Sequence, residues 1–172
     1  GNLCEPPPPP GDLVFIHDIQ GAAHRSPLEG EVVTVEAIVT AVGADGFYLQ
    51  EEDADADADI ATSEALYVFT GGAPAVAVGD LVRISDEVEE FRPFENRTTI
   101  TEFVFPDVTV LSSGNPLPAP VVLGVDRVQP TQIIDNDAAE TIDIEVAGSF
   151  DPTEDGIDFY ESLEAMRVEA RN

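Results

Sequence analysis

The stretch that most narrows the fold is Val32 to Val42, a long run dense in β-branched residues. Such side chains are stiff at χ1 and fit a pleated surface better than a helix. Asp45-Gly46 then supplies a tight hairpin turn into Phe47-Tyr48-Leu49-Gln50. An acidic loop from Glu51 to Glu64 leads to Ala65-Leu66-Tyr67-Val68-Phe69-Thr70, which Gly71-Gly72 and Pro74 close. Gly79-Asp80 turns into Leu81 to Ser85, whose alternation continues through Val88 to Phe91, and a loop at Pro93 to Asn96 returns as Thr98 to Phe103. Five strands with short turns and no convincing helix between them suit a small, partly open barrel better than a two-sheet sandwich. The expected architecture is all-β, an OB-fold-like five-stranded antiparallel barrel whose closure removes most exposed strand edge.

Outside that block the text is less regular. Pro6 to Pro10 should form an extended polyproline spacer, with a ligand for a proline-recognising domain as the alternative. Val108 to Leu111 reads as one more strand, Ser112 to Pro120 as an irregular connection, and segments near Val121 to Leu123 and Ile142 to Val146 as short strands. Asp158 to Arg171 carries Phe159, Leu163 and Met166 at a spacing that suits a terminal helix and is also met by a strand. The chain therefore divides into a proline-rich linker at 1–12, an OB-fold-like domain at 13–111 and a C-terminal extension at 112–172. The extension reads also as the start of a further module, because the text stops soon after a promising motif.

Charge limits the partners. Asp and Glu number 35 against 7 cations, all arginine, for a formal net charge of -28 at pH 7. A surface this negative repels phosphate backbones and strains the compact state by self-repulsion. Adaptation to saline surroundings and specific Ca²⁺ binding both account for it. Apolar runs fall far short of a bilayer span, so no membrane contact is expected. The single cysteine, Cys4, excludes an internal disulfide and is left as a free thiol or a link to a partner outside the chain. Leu3 before it does not suit a lipid-anchored cysteine.

Two constellations stand out as sites. Asp53, Asp55, Asp57 and Asp59 place carboxylates at alternate positions, with Glu64 twelfth from Asp53, a spacing with which a curled loop wraps Ca²⁺. The loop lacks the glycine of an EF-hand bend, and a solvated acidic loop is the alternative. Phe91, Arg92, Phe94 and Arg97 cluster at one turn, Arg83 lies on the preceding strand, and Tyr48 and Tyr67 occupy the two strands whose face OB-folds commonly use. These offer rings for base stacking and guanidinium groups for phosphate, and weak binding of single-stranded nucleic acid is the expectation. Asp86, Glu87, Glu89, Glu90 and Glu95 surround them, so a hairpin with locally paired arginines is the competing reading. His17 and His24 suggest a metal pair with Asp18 or, more simply, independent hydrogen-bonding groups. Asn96-Arg97-Thr98 matches a glycosylation sequon, relevant only in a glycosylating host.

Several words, in order, resemble the OB-fold accessory domain of large extracellular bacterial nucleases: Ile16 to Gly21, Ser26 to Gly30, Val35 to Thr40, Gly46 to Gln50, Val78 to Val82, Val108 to Pro120 and Asp155 to Glu164. The resemblance implies secretion, a multidomain parent and a separate downstream endonuclease/exonuclease/phosphatase domain as partner. That catalytic domain needs paired histidines among acidic metal ligands. With only His17 and His24 here, both before the barrel, no catalytic residue is expected in this chain. The expected role is substrate positioning or domain spacing beside a metal-dependent hydrolase; a Ca²⁺-stabilised structural or adhesion module is the alternative.

Overall fold

The computed structural model describes residues 11–95, 98–131, 133–137, 145 and 148–171. Cys4, the Pro6–Pro10 run, Arg97 and almost all of the 142–146 segment lie outside them. The elements are β1 (Asp12–Leu13), α1 (Ile16–Gln20), β2 (Val32–Val42), β3 (Gly46–Gln50), β4 (Ala65–Phe69), β5 (Leu81–Glu87), β6 (Glu89–Phe91), β7 (Ile100–Val104), β8 (Val108–Ser112), β9 (Val121–Leu123), α2 (Gly156–Glu161) and β10 (Val168–Ala170). The chain is mostly β, as its patterning requires. No helix among the described residues is long and apolar enough to cross a membrane.

The main sheet runs β6-β7-β4-β3-β2-β5-β8, with β1 added on β2. It is mixed and has eight strands, which corrects the expectation of five antiparallel ones: β4 pairs with β7 in parallel, and so does β1 with β2. The parallel pair arises because the chain leaves β4, crosses through β5 and β6, and comes back on the far side of β4. The edges of this order are β6 and β8, which do not pair, so the sheet is not closed; β6 nonetheless follows β5 with Val88 alone between them. There the backbone turns to other partners: Val88 N donates to Glu31 O at 3.0 Å, and Gly30 N donates to Val88 O at 2.9 Å.

Strand β2 serves two neighbours because it bends. Its register with β3 shifts between Val39 and Ala41, a bulge at Thr40, so residues 32–38 pair with β5 and residues 38–42 with β3. Asp45-Gly46 is not itself the turn: Gly43 N donates to Gly46 O at 2.8 Å, and Gly46 is already the first paired residue of β3. Its lack of a side chain serves packing, because a Cβ there would lie 2.2 Å from the Tyr67 hydroxyl and 2.4 Å from Val68 O.

Period-two alternation fills the interior. Val33, Val35, Ala37 and Val39 of β2 meet Phe47, Leu49, Leu66, Val68, Val82, Ile84 and Phe103 in one buried cluster. Each of the valine, leucine, isoleucine and phenylalanine side chains contributes about 1.5–3 kcal/mol by leaving water. Helix α1, not foreseen in the apolar text after Leu13, inserts Ile16 and Ile19 into the same cluster. The terminal segment is a short helix followed by a strand: α2 ends at Glu161, and β10 pairs in parallel with β9 as a separate two-stranded sheet. Phe159 and Leu163 are buried, but Met166 belongs to the connection after Ala165, which sits at φ 60 and ends any helical run.

The extension docks against the sheet through polar groups. Arg167 N donates to Gln50 Oε1 at 2.9 Å, Ser63 Oγ to Glu164 O at 2.6 Å, and Thr101 N to Glu164 Oε1 at 3.0 Å.

Candidate functional site

Helix α1 and the inner ends of β3 and β4 build the most concentrated polar cluster. Glu51 follows β3 and Glu64 precedes β4, and Glu51 N donates to Glu64 O at 3.0 Å, so the ladder holds the two side chains together. His17 Nδ1 lies 3.0 Å from Glu51 Oε2 and 3.1 Å from Glu64 Oε2. Each carboxylate also accepts a backbone N–H: Glu51 Oε1 from Ile16, and Glu64 Oε1 from Asp57 at 2.9 Å. Burial, together with a carboxyl-to-carboxyl hydrogen bond to Glu64, pushes Glu51 up to about 8. Burial pulls the His17 imidazole down, but the Glu64 hydrogen bond and the Glu51 and Glu64 charges outweigh it and leave its pKa raised. Glu51 is thus favoured in its protonated form at neutral pH, with Glu64 and the imidazole beside it.

One donor atom from each of His17, Glu51 and Glu64 lies within 4.8 Å of the others, a set of one nitrogen and two carboxylates that suits a transition metal. In the protein as described the same atoms satisfy one another, and the cluster ties α1 to the sheet. The cluster borders a cavity of about 240 Å³ lined by Asp53, Asp57, Asp59, Thr62 and Arg127 among others.

The alternating aspartates of the acidic loop do not converge in the same way. Asp53 Oδ1 accepts from Ala119 N at 2.8 Å, Asp57 Oδ1 from Asp59 N at 2.8 Å, and Asp59 Oδ1 from Ala61 N at 2.9 Å. Asp57 and Asp59 act as turn caps that shape the loop, Asp53 ties it to residue 119, Asp55 is exposed, and of the five expected ligands Glu64 alone enters a metal-like cluster among the described residues. The signal available for His17 and Glu51 was weak: an isolated histidine forty-seven positions before Glu64 has no spacing rule to mark it.

His24 is not paired with His17. Its Nε2 lies 2.7 Å from Asp158 Oδ1 and its Nδ1 3.3 Å from Glu161 Oε2, all three well enclosed. Burial opposes the charge on His24, yet the Glu161 and Asp158 carboxylates raise its pKa. Around it, Glu145 accepts from the Thr99 amide and hydroxyl and from Arg92, and Glu90 Oε1 accepts from Ser26 N and Thr101 Oγ1. This constellation fastens α2 and residue 145 to the lower end of the sheet. Among the described residues Asp18 hydrogen-bonds neither histidine; His17 meets Glu51 and Glu64, and His24 meets Asp158 and Glu161.

The expected nucleic-acid patch is dispersed. Tyr48 and Tyr67 face each other across β3 and β4 with ring centroids 5.0 Å apart, and Tyr48 is 39% exposed. The same row continues to Glu102 on β7 and Glu89 on β6, so the rings abut carboxylates. Burial and the Glu89 charge push Glu102 up to about 7. Arg83 is two strands from Tyr48 and is held by Glu36, its Nε donating at 2.7 Å. Phe91 and Phe94 are exposed, while Arg92 is paired with Glu145.

A family model described as a domain of unknown function (DUF8508) matches residues 122–172. No curated protein matches the chain. Among solved structures the chain is similar to aspartyl tRNA synthetase from Entamoeba histolytica, at 19% identity and a TM-score of 0.40 over 62% of this chain and 23% of that one. The match therefore spans less than a quarter of the synthetase chain.

Proposed function

We propose that the chain is a non-catalytic OB-type accessory module of a secreted, metal-dependent nuclease, acting as a rigid spacer beside a separate catalytic domain. The OB-type reading is supported by three features. The bent β2 pairs with both β3 and β5, β4 pairs in parallel with β7, and β6 follows β5 with one residue between them, an arrangement that suits a partly open barrel although the sheet itself is not closed. The nuclease context rests on the ordered sequence words, Asp155 to Glu164 above all.

The observation that carries the spacer role is the engagement of the arginines. Each of the six described ones meets an acceptor of its own chain: Arg25 Glu29, Arg83 Glu36, Arg92 Glu145, Arg127 Ser162, Arg167 the Pro118 carbonyl and Arg171 Glu169. Phosphate would have to displace carboxylates on a surface that already repels it. Both histidines likewise hold packing contacts. The test uses two proteins. The complete parent polypeptide should degrade DNA with a divalent cation, and the purified chain should neither cleave it nor bind labelled single strands at low salt. A parent without nuclease activity refutes the context.

The Tyr48–Tyr67 pair, with Tyr48 exposed and Tyr67 half-buried, favours a second reading, base stacking on the outer face of β3 and β4. Saturable single-strand binding by the chain, lost in Tyr48→Ala, would move the role from spacing to substrate positioning.

A further inference from the structure

A second acidic cluster lies in the extension, away from the acidic loop. Gly156 N donates to Ile133 O and Ile157 N to Ile134 O, each at 3.1 Å, laying residues 133–134 against the start of α2. A Cβ at position 156 would press on the Ile133 carbonyl at 3.2 Å, so glycine permits this approach. It carries Asp135 and Asp137 up to Asp155, and one carboxylate oxygen from each of the three lies within 4.8 Å of the others.

Asp155 differs from the other acidic residues of this region. It is only 2% exposed, and its Oδ1 is enclosed with no hydrogen-bond donor. A buried carboxylate oxygen without a donor has given up its hydration for nothing in return, an arrangement that native proteins avoid unless something else meets it. The carboxylate as a whole accepts a backbone N–H from Asn136, which favours its charged form, but burial and the nearby Asp158, Asp135 and Asp137 charges outweigh it and hold Asp155 above the usual carboxylate range. Its neighbours are fixed by backbone donors: Asp137 N to Asp135 Oδ1 at 3.0 Å, and Ser149 N to Asp137 Oδ2 at 2.9 Å.

We propose that Asp135, Asp137 and Asp155 bind a hard divalent cation, Ca²⁺, which clamps residues 133–137 to the turn before α2. All three donors are oxygens, which excludes a preference for softer metals. Ca²⁺ takes oxygens at about 2.3–2.6 Å, so ligands on opposite sides of it stand about 4.6–5.2 Å apart, a span that covers the spacing of this trio. Mg²⁺ demands a tighter, near-ideal octahedron and keeps its waters, which suits carboxylates from two loops less well. The cation would supply the partner that Asp155 Oδ1 lacks and cancel repulsion among three carboxylates. Because α2 carries Asp158 and Glu161 to His24, occupancy would also steady the docking of the extension. The site does not depend on the accessory-module reading, since it concerns this chain alone.

The experiment is calorimetric titration of CaCl₂ into the chelator-treated full chain at moderate salt, with melting temperatures measured in parallel. One saturable event is expected, with a larger rise in Tm from Ca²⁺ than from equal Mg²⁺. Asp155→Asn keeps the side-chain shape, removes the enclosed charge, and should weaken Ca²⁺ at least about tenfold. It should melt no lower than the parent chain without Ca²⁺, and Asp137→Asn should show the same loss of binding. Asp57→Asn combined with Asp59→Asn, in the acidic loop, should leave the affinity unchanged. Absence of saturable binding at millimolar Ca²⁺ overturns the proposal, as does unchanged affinity in both Asp155→Asn and Asp137→Asn. Loss confined to the Asp57/Asp59 variant overturns it too and assigns the cation to that loop.

Discussion

Glu164→Gln should remove much of the molecule's loss of stability toward alkaline pH. Glu164 sits where the extension meets the sheet, accepting from Thr101 N at 3.0 Å and from Gln20 Nε2 at 3.4 Å. Burial, then the charge of Glu161, pushes it from its ordinary 4.5 up to about 8. A raised carboxyl favours folding in its protonated form. Its contribution is therefore complete below about 4.5 and is lost as pH rises through about 8. Between those limits the folded chain holds one proton more than the unfolded chain, so stability falls by about 1.4 kcal/mol per pH unit, or about 4 kcal/mol from pH 5 to pH 8. Glutamine keeps the shape and the acceptor for Thr101 but cannot ionise. Urea unfolding of both proteins at constant ionic strength from pH 5 to pH 9 is the assay. The two should be close at pH 5, with the variant the more stable by several kcal/mol at pH 9. Parallel profiles would refute the claim that a buried, protonated carboxyl sits at this junction.

Glu51→Gln should act with the same sign, since Glu51 is also pushed up to about 8: a gain at pH 9 over pH 5, read by the same unfolding series. His24→Ala strands Asp158 and Glu161 without their cation and should cost about 3–5 kcal/mol near pH 6 by chemical denaturation. Its raised pKa means that the contribution of His24 is complete below 6.5 and fades as pH climbs through the folded value, so the penalty should shrink at alkaline pH. Phe103→Ala, which empties the centre of the buried cluster, should cost about 3–5 kcal/mol with little dependence on pH.

The sheet was legible because its signal is local. β-branched density and turn residues mark β2 to β5 within a residue or two, and the break at Val88 is small enough to leave the alternation from Leu81 to Phe91 intact. Parallel pairing of β4 with β7 left no such mark, since both directions give the same alternation and the choice depends on where the chain crosses. Helix α1 was hidden for a similar reason: five residues, with Ile16 and Ile19 as the only apolar pair, carry too little period to separate from a strand. Asp45-Gly46 pointed to the right corner, but sterics between Gly46 and Tyr67, not turn geometry, set the glycine. As for sites, the carboxylate spacing in the acidic loop was visible, but the contacts of the individual side chains were not. Asp57 and Asp59 cap turns of the loop, Asp53 reaches Ala119, and Glu64 joins two residues that sequence separation keeps apart. Asp135, Asp137 and Asp155 meet where residues 133–134 lie against Gly156, a close backbone approach that no local spacing marks.

The segment matched by the unknown-function family, residues 122–172, has few apolar residues of its own to bury: Val122, Phe159 and Leu163 among those described. So small an apolar set cannot offset the ordering of its backbone. What fixes it is borrowed from the sheet: Gln50, Ser63, Thr101 and His24 each contact a residue between Asp158 and Arg167. The reverse also holds, because Glu145 from the extension occupies the Thr99 hydroxyl and amide and the Arg92 guanidinium at the sheet's lower end. A boundary at residue 122 thus separates a sequence pattern, not a folding unit. Carboxylates of the extension are in part the means by which an acidic extension is held against an acidic sheet: protonated at Glu164, paired with His24 at Asp158 and Glu161, and in our proposal bridged by a cation at Asp155.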